Sequence, residues 1–300
     1  MARGAEAEGV ARVAVAMTFL FVPEWGVPAM GMGLQPGMRL RGAFLRAANA
    51  RFWRKGMPAV NAARAANGLP PWRHTRDVIA AHDRVLALTS RSLEFPEFAA
   101  PPHVVLAGPR LAEPSWTGGW TAPPGDDPLV LVAMSSTPMR QLDALGRAAD
   151  ALGRLPVRGV LTTGPAVDPG DVAAPPNVTV LRAAPHNAVL AEASAVVTHA
   201  GHGTAIKALA AGVPLVCMPF GRDQRDVAAR VAARGAGRIV GRDASPERIA
   251  DAVRAVLADP AHTVAAGRIA AAIAAGMEQD RAVEELEALA AWGGRRLVAA

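Results

Sequence analysis

From Leu129 onward the chain alternates short, continuous apolar runs with segments of helical periodicity, and this alternation constrains the fold more than any other feature. Apolar runs without interspersed polar residues are typical of strands buried on both faces of a parallel sheet. The predicted strands are Leu129–Met134, Val157–Thr162, Asn177–Leu181, Ala195–Thr198, Pro214–Met218 and Arg238–Val240. We therefore predict an α/β, doubly wound sheet whose ligands bind at the carboxyl ends of its strands.

The chain before this region has a less regular texture. Residues 1–110 contain strand-like runs over 11–22, 83–89 and 103–107, a Gly-, Pro- and Met-rich loop over 23–38, and a helical stretch over 41–67. Residues 111–128 are rich in Pro and Gly without periodicity, which is typical of a domain boundary. We predict a partial domain over 1–110, a linker over 111–128 and a complete domain over 129–300, with helices over 261–291.

Composition excludes several classes of protein. Hydrophobic residues make up 51% of the 300 residues, which suffices for sizeable cores. The net charge is +6, but Lys and Arg are scattered rather than grouped in a run, so we predict no nucleic-acid partner. The single cysteine, Cys217, excludes an intrachain disulfide and fits a reducing cytoplasm. The apolar run over 13–22 is too short to span a bilayer, so we predict a cytoplasmic protein without a membrane span.

The most distinctive segment runs from Thr198 to Thr204, between a predicted strand and a predicted helix over 204–211. Gly201 and Gly203 are predicted to let the backbone turn sharply and approach a ligand. The start of a helix offers unpaired N–H groups and a positive dipole end, to which Thr204 can add a hydroxyl and His199 a ring N–H. The segment therefore predicts a diphosphate site; an ordinary turn capped by the threonine is the alternative.

Two further polar residues, Asp223 and Gln224, follow the predicted strand over 214–218. Together they offer carboxylate and amide groups, which suit bidentate hydrogen bonds to vicinal hydroxyls of a ligand. The alternative is that Asp223 caps the helix that begins near Gln224, and both roles are compatible.

The stretch from His186 to Ala229 resembles the donor-binding signature of the family 1 glycosyltransferases, which use UDP- or TDP-sugars and have two Rossmann-like domains of the GT-B type. The resemblance extends over residues 129–257 and looks closest to bacterial enzymes that glycosylate natural products. It implies a complete C-terminal domain and a partial N-terminal one. The implied contacts are diphosphate binding by His199, Gly201, Gly203, Thr204, Ser136 and Thr137, donor-sugar binding by Asp223 and Gln224, and base binding by Ala183, Pro185 and His186. For Ser136 and Thr137, a capped turn before the next helix is the alternative.

The resemblance further implies transfer of a hexose-type sugar from a UDP- or TDP-sugar to a hydroxyl of a small-molecule acceptor, by direct displacement with inversion. The nucleotide sugar is then a co-substrate, and neither a cofactor nor a metal is expected. The chain departs from the family near Ala183, where an aromatic residue for the base is missing; His186 either substitutes as a flat ring or is solvated. Lys207 stands where some relatives have a Glu for ribose hydroxyls, and a lysine cannot accept a hydrogen bond, which favours a deoxyribose donor such as a TDP-sugar.

The general base of the family, a His after the first strand of the N-terminal domain, has no counterpart here, so we expect the first part of that domain to be missing. His74, His82 and His103 are predicted to be ordinary surface or core residues, while His202 is placed to contact donor or acceptor; no residue is assigned to catalysis. The alternative is a nucleotide-sugar-binding module that lacks turnover or depends on a partner. An epimerase acting on nucleotide sugars and a Rossmann dehydrogenase are less favoured, the latter because no G-x-G-x-x-G follows a first strand.

Overall fold

The computed structural model describes residues 11–19, 51, 54–74, 76–96, 98–113 and 117–291. They form two compact units: the first takes its described residues from Met1–Pro109 and Gly276–Ala300, and the second is Arg110–Ala275. The strands are β1 Val13–Ala16, β2 Arg84–Ala87, β3 Val104–Leu106, β4 Leu129–Ala133, β5 Arg158–Thr162, β6 Val178–Leu181, β7 Ala193–Thr198, β8 Leu215–Cys217 and β9 Gly237–Ile239. The helices are α1 over 54–65, α2 Arg76–Ala80, α3 Leu142–Leu152, α4 His186–Leu190, α5 His202–Ala210, α6 Gln224–Ala233, α7 Pro246–Ala258, α8 Pro260–Gly276 and α9 Arg281–Ala291.

The second unit is built on a six-stranded sheet in the order β6-β5-β4-β7-β8-β9, and every pairing in it is parallel. All five residues of β4 are buried, as expected for a strand covered on both faces. Counted from β4, this is the strand order 3-2-1-4-5-6 of the dinucleotide-binding folds. The predicted α/β, doubly wound sheet is therefore confirmed.

The helices α3 and α7 cover one face of this sheet. Leu145 and Leu152 of α3 and Ile249 and Val253 of α7 share a buried cluster with apolar side chains of β4 and β7. Helix α7 has Ser245 at its N-cap, where Ser245 Oγ accepts a hydrogen bond from the backbone N–H of Arg248 at 3.5 Å. These helices leave the carboxyl ends of the strands accessible to a ligand.

The first unit contains a three-stranded parallel sheet in the order β1-β2-β3. Its buried Leu86 and Val105 pack with Ala282 of α9, and Arg84 forms an ion pair with Glu285 of the same helix at 2.6 Å. The two helices predicted over 261–291 are confirmed as α8 and α9. Of the predicted helical stretch over 41–67, residues 54–65 are helical, and the predicted loop over 23–38 lies outside the described residues.

The chain passes from the first unit to the second between Pro109 and Arg110 and returns to the first unit at Gly276, so α9 belongs to the first unit. A division into compact units does not delimit a linker, so the predicted domain bounds 1–110, 111–128 and 129–300 stay a prediction. Within the part of the chain that the structure describes, no helix combines the length and the apolar character needed to cross a membrane.

Candidate functional site

A cavity of about 500 Å³ opens in the second unit at the carboxyl ends of β4, β5, β6 and β7. It lies where the strand order reverses, between β4 and β7, which is the usual ligand site of an open α/β sheet. The predicted site residues that line it are Ser136, Thr137, Ala183, His186, His199, Gly201, Gly203, Thr204, Asp223 and Gln224. Pro185 is not part of the lining and stands at the N-cap of α4.

The β7 loop, residues 199–201, joins β7 to α5. Helix α5 begins at His202, so the prediction that it begins at Thr204 was wrong. The residue in the left-handed region is Ala200, with φ 62, whereas Gly201 has φ −62 and serves as N-cap. The glycines therefore do not provide the sharp turn that was predicted for them.

The two glycines instead serve two different spatial needs. A Cβ atom on Gly201 would overlap the imidazole ring of His199, so the glycine makes room for that ring. A Cβ atom on Gly203 would meet no other heavy atom within 4 Å, because this position faces open space in the cavity. Gly203 and Thr204 belong to the first turn of α5, whose backbone N–H groups have no intrahelical acceptor. The missing side chain at Gly203 leaves a ligand free to approach those groups.

His199 lies deep beside this turn and is buried. Burial lowers the pKa of His199 to about 4, although a hydrogen bond to the Ala133 carbonyl and the Asp223 carboxylate act in the opposite direction. Its ring is stacked on that of Phe220 at a centroid distance of 6.3 Å. At neutral pH the imidazole is therefore uncharged and carries a single N–H.

His202, the first residue of α5, is buried in the same region. Desolvation lowers the pKa of His202 to about 4, and the charge of Arg230 acts in the same direction, while the Asp223 carboxylate opposes it. Two neutral imidazoles thus stand near one carboxylate at the edge of the cavity.

The β8 loop, residues 218–223, is shaped by the side chain of Gln224. Its Oε1 accepts hydrogen bonds from the backbone N–H groups of Phe220 at 2.8 Å and Gly221 at 3.0 Å. Its Nε2 donates to the Met139 sulfur at 3.3 Å. Asp223 occupies the N-cap position of α6, as the alternative predicted, but its side chain makes no capping hydrogen bond.

The β4 loop, residues 134–141, is held by a residue that the sequence did not single out. Gln141 is buried, and its Nε2 donates to the Ser135 carbonyl at 2.6 Å while its Oε1 accepts from the backbone N–H of Met139 at 3.0 Å. Ser135 Oγ accepts from the backbone N–H of Thr137 at 3.1 Å, which forms a local turn. Ser136 and Thr137 are exposed on this loop, so their hydroxyls can reach a ligand.

The predicted base segment lies at the ends of β5 and β6. The His186 Nε2 is 3.2 Å from the hydroxyl of Thr162, and burial lowers the pKa of His186. His186 is therefore a half-buried ring on the cavity wall rather than a solvated residue. Ala183 lines the same wall.

A second residue that sequence reasoning missed is Glu113, which precedes β4 in the chain. Its Oε1 accepts from Lys207 Nζ at 2.9 Å and from the backbone N–H of Asn187 at 2.8 Å. Lys207 also donates to the Ala112 carbonyl at 3.2 Å, and its side chain is only 14% exposed. Both charged residues line the cavity. No local signal reveals the pair, since the two residues lie 94 positions apart and Glu113 belongs to a segment without periodicity.

The remaining histidines considered from the sequence belong to the first unit and do not line the cavity. His74 is exposed, and His82 Nδ1 is 2.8 Å from the Val78 carbonyl. His103 lies in the turn directly before β3, and burial lowers the pKa of its ring. Across the described residues, no group of three or more His, Cys, Asp or Glu side chains is arranged to hold a metal ion.

Comparisons with known proteins agree with this geometry. Residues 147–289 match the family described as the C-terminal domain of proteins like erythromycin biosynthesis protein CIII. The chain is 33% identical over 272 residues to 4'-demethylrebeccamycin synthase of Lentzea aerocolonigenes, an alignment that covers 87% of this chain and 64% of that protein. It therefore spans less than two thirds of that relative.

Solved structures with a similar fold are glycosyltransferases as well. The glycosyltransferase of kitacinnamycin superposes with a TM-score of 0.74 at 25% identity, covering 95% of this chain and 72% of that one. The spinosyn rhamnosyltransferase, solved with thymidine diphosphate, gives a TM-score of 0.55 at 25% identity over 76% of this chain and 60% of that one. The two parallel sheets are accordingly those of the GT-B fold.

Proposed function

Because this chain belongs to the family 1 glycosyltransferases of the natural-product type, we propose that it transfers a hexose-type sugar from a UDP- or TDP-sugar to a hydroxyl of a small-molecule acceptor. The observation that carries the proposal is the cavity at the strand-order reversal, which brings the open first turn of α5 and the Asp223–Gln224 pair together. The activity of a whole enzyme is part of the proposal, since the chain spans 64% of the length of its relative 4'-demethylrebeccamycin synthase.

In this proposal the diphosphate of the donor lies against the first turn of α5. The backbone N–H groups of Gly203 and Thr204 and the threonine hydroxyl donate to its oxygens, supported by the positive end of the helix dipole. Gly201 leaves room for the neutral ring of His199 beside the diphosphate. The exposed hydroxyls of Ser136 and Thr137 contact the diphosphate from the β4 loop. The spinosyn rhamnosyltransferase with bound thymidine diphosphate supports a nucleoside diphosphate as the ligand class.

The remainder of the donor extends to either side of the diphosphate. Asp223 and Gln224 hydrogen-bond the hydroxyls of the transferred sugar, and the base lies on the cavity wall lined by Ala183 and His186, next to Pro185 at the N-cap of α4. We propose that this binding needs no metal ion or other cofactor. The cytoplasmic location belongs to the same proposal and is supported by the fully buried free thiol of Cys217.

The reaction in this scheme is one displacement with inversion at the anomeric carbon. A bond forms between the acceptor oxygen and that carbon while the bond from the carbon to the diphosphate oxygen breaks, and the electron pair leaves with the diphosphate. Donors fixed before the reaction, such as the N–H groups of Gly203 and Thr204, stabilise this developing charge most effectively. The acceptor proton passes to a base, and we assign no described residue to that role.

Titration of the purified chain with UDP and TDP by isothermal calorimetry tests the donor site. We expect binding of at least one nucleotide, and loss of affinity by about tenfold or more in His199→Ala, since the ring also fixes the loop that holds the diphosphate. His74→Ala, an exposed histidine of the first unit, is the matched control, and circular dichroism checks that both variants are folded.

Product formation tests the transfer itself. Incubation with UDP- or TDP-glucose and a panel of hydroxylated aglycones is expected to release nucleoside diphosphate and to form a β-glycoside from the α-linked donor, as read by NMR. Binding without any product would instead support the nucleotide-sugar-binding module, which the named activities of the relatives do not favour.

A further inference from the structure

The pair formed by Glu113 and Lys207 has no part in the donor contacts described above, although both side chains line the cavity. An ion pair whose only role is to connect two segments of the chain does not need to line a ligand cavity. This one is largely shielded from solvent, with side-chain exposures of 20% for Glu113 and 14% for Lys207. Its position in the cavity therefore indicates a role in ligand binding.

The pair lies between the two ends of the proposed nucleotide. Lys207 follows Gly203 by four residues on α5, one helical turn beyond the N–H groups proposed to hold the diphosphate. Glu113 accepts a hydrogen bond from Asn187, the neighbour of His186 on the proposed base wall. Glu113, Lys207 and His186 all line the same cavity, and the charges of the first two act on the pKa of the His186 ring in opposite directions. In any nucleoside diphosphate, the group that connects base and diphosphate is the pentose.

The carboxylate of Glu113 is suited to bind that pentose. Its Oε1 accepts both hydrogen bonds, from Lys207 and from Asn187, while its Oε2 accepts none from the described residues. A carboxylate held in place by a cation has its second oxygen available for a hydroxyl donor. Lys207 offers only N–H donors and cannot take this role itself.

Resting on the proposed function, we infer that Glu113 accepts a hydrogen bond from a pentose hydroxyl of the donor nucleotide, and that Lys207 positions its carboxylate. Glu113 is thus a specificity-determining residue that selects a nucleoside diphosphate over a bare diphosphate. A negative charge beside a diphosphate repels it, so this residue favours binding only if the pentose makes a compensating contact.

Calorimetric titration of Glu113→Ala and Glu113→Gln with UDP, 2'-deoxyuridine diphosphate and inorganic pyrophosphate tests the inference. We expect Glu113→Ala to weaken UDP binding about ten- to hundredfold, the range for a hydrogen bond to a charged group, and Glu113→Gln to weaken it less. Pyrophosphate, which has no pentose, should bind as tightly or more tightly once the negative charge is removed. An equal loss with UDP and its 2'-deoxy analogue assigns the bond to the 3'-hydroxyl, and a loss with UDP alone assigns it to the 2'-hydroxyl.

Glu192→Gln is the matched control. Glu192 also accepts a hydrogen bond from a residue before β4, namely Trp120 Nε1 at 2.9 Å, but it lies outside the cavity. We expect this variant to bind all three ligands as the unchanged chain does. If Glu113→Ala weakens UDP and pyrophosphate alike, or weakens neither, the inference is wrong while the proposed function stands. If the unchanged chain binds pyrophosphate but no nucleotide, both fail.

Discussion

The loops that follow β7 and β8 meet at the same cavity but are stabilised in different ways. The β7 loop depends on its backbone and on burial, since Ala200 adopts φ 62 and the buried His199 ring fits only because Gly201 has no side chain. The β8 loop depends on one side chain, Gln224, whose Oε1 accepts two backbone hydrogen bonds. Arg222 provides its left-handed residue, with φ 54.

After β7, the stability of the loop and the binding of the ligand depend on different glycines, whereas after β8 both depend on Gln224. After β7, the N–H groups of Gly203 and Thr204, which are proposed to bind the diphosphate, do not maintain the loop. After β8, Gln224 both maintains the loop and is proposed to bind the donor sugar. Substitution of Gly201 should therefore change mainly stability and substitution of Gly203 mainly ligand affinity, whereas substitution of Gln224 should change both.

The largest effect expected from this comparison is a loss of stability in acid. Burial holds the pKa of His199 and of His202 at about 4, below the ordinary value of 6.5. Between these values the unfolded chain binds more protons, so the free energy of unfolding is highest above pH 6.5 and falls as the pH decreases towards 4. Each histidine contributes about 3 kcal/mol at most to this loss.

Urea denaturation between pH 7.5 and pH 4 measures it. His202→Gln should flatten the decline, because a neutral amide replaces the imidazole that must be protonated. His74→Gln, in the first unit, should leave the pH dependence as it is. A decline of the same steepness in His202→Gln would show that protonation of His202 is not one of its causes.

The next largest effect is expected from substitutions of Gly201, in the β7 loop, and Gly203, in the first turn of α5. Gly201→Ala should lower the free energy of unfolding by about 1–3 kcal/mol, because its methyl group overlaps the His199 ring. Gly203→Ala should leave stability within about 1 kcal/mol, since a helical alanine is favourable and its Cβ meets no neighbour. It should nevertheless weaken UDP or TDP binding at least about tenfold by filling the space beside the N–H groups.

Thermal unfolding and calorimetric titration of both variants check this division. A Gly203→Ala variant that binds nucleotide normally would mean that the ligand does not approach this turn. A Gly203→Ala variant less stable than Gly201→Ala would mean that packing, rather than access for a ligand, requires the glycine there.

The same two loops show how far the sequence could be read. The strands that carry them were predictable, since β4, β7 and β8 are continuous apolar runs and polar residues follow each one. The turn geometry was not predictable: glycines are the usual left-handed residues, yet here Ala200 takes that role, while the neighbouring Gly201 has φ −62. The start of α5 at His202 was hidden because Gly201 and Gly203 are poor helix formers.

Two residues of the site were beyond a reading of periodicity. Glu113 takes its role from Lys207, which lies 94 positions away. Gln141 takes its role from the backbone carbonyl of Ser135, a group that no sequence pattern identifies as its partner. Sequence reasoning therefore found the residues that chemistry and strand position single out. It missed those whose importance depends on which segments the fold brings into contact.

The smallest expected effect tests the joint role of Gln224. Gln224→Ala should cost about 1 kcal/mol of stability, because the N–H groups of Phe220 and Gly221 are half-buried and water can replace their lost acceptor. It should also weaken the binding of a UDP-sugar more than that of UDP, since only the former offers hydroxyls of the transferred sugar.

Gln141→Ala is the matched control: it removes comparable hydrogen bonds from the β4 loop, but Gln141 does not line the cavity. Both variants should lose stability, and only Gln224→Ala should reduce the preference for the UDP-sugar over UDP in calorimetry. If Gln141→Ala reduces that preference as strongly, Gln224 affects binding only through the conformation of its loop and does not contact the sugar. The β7 and β8 loops would then differ only in how they are stabilised.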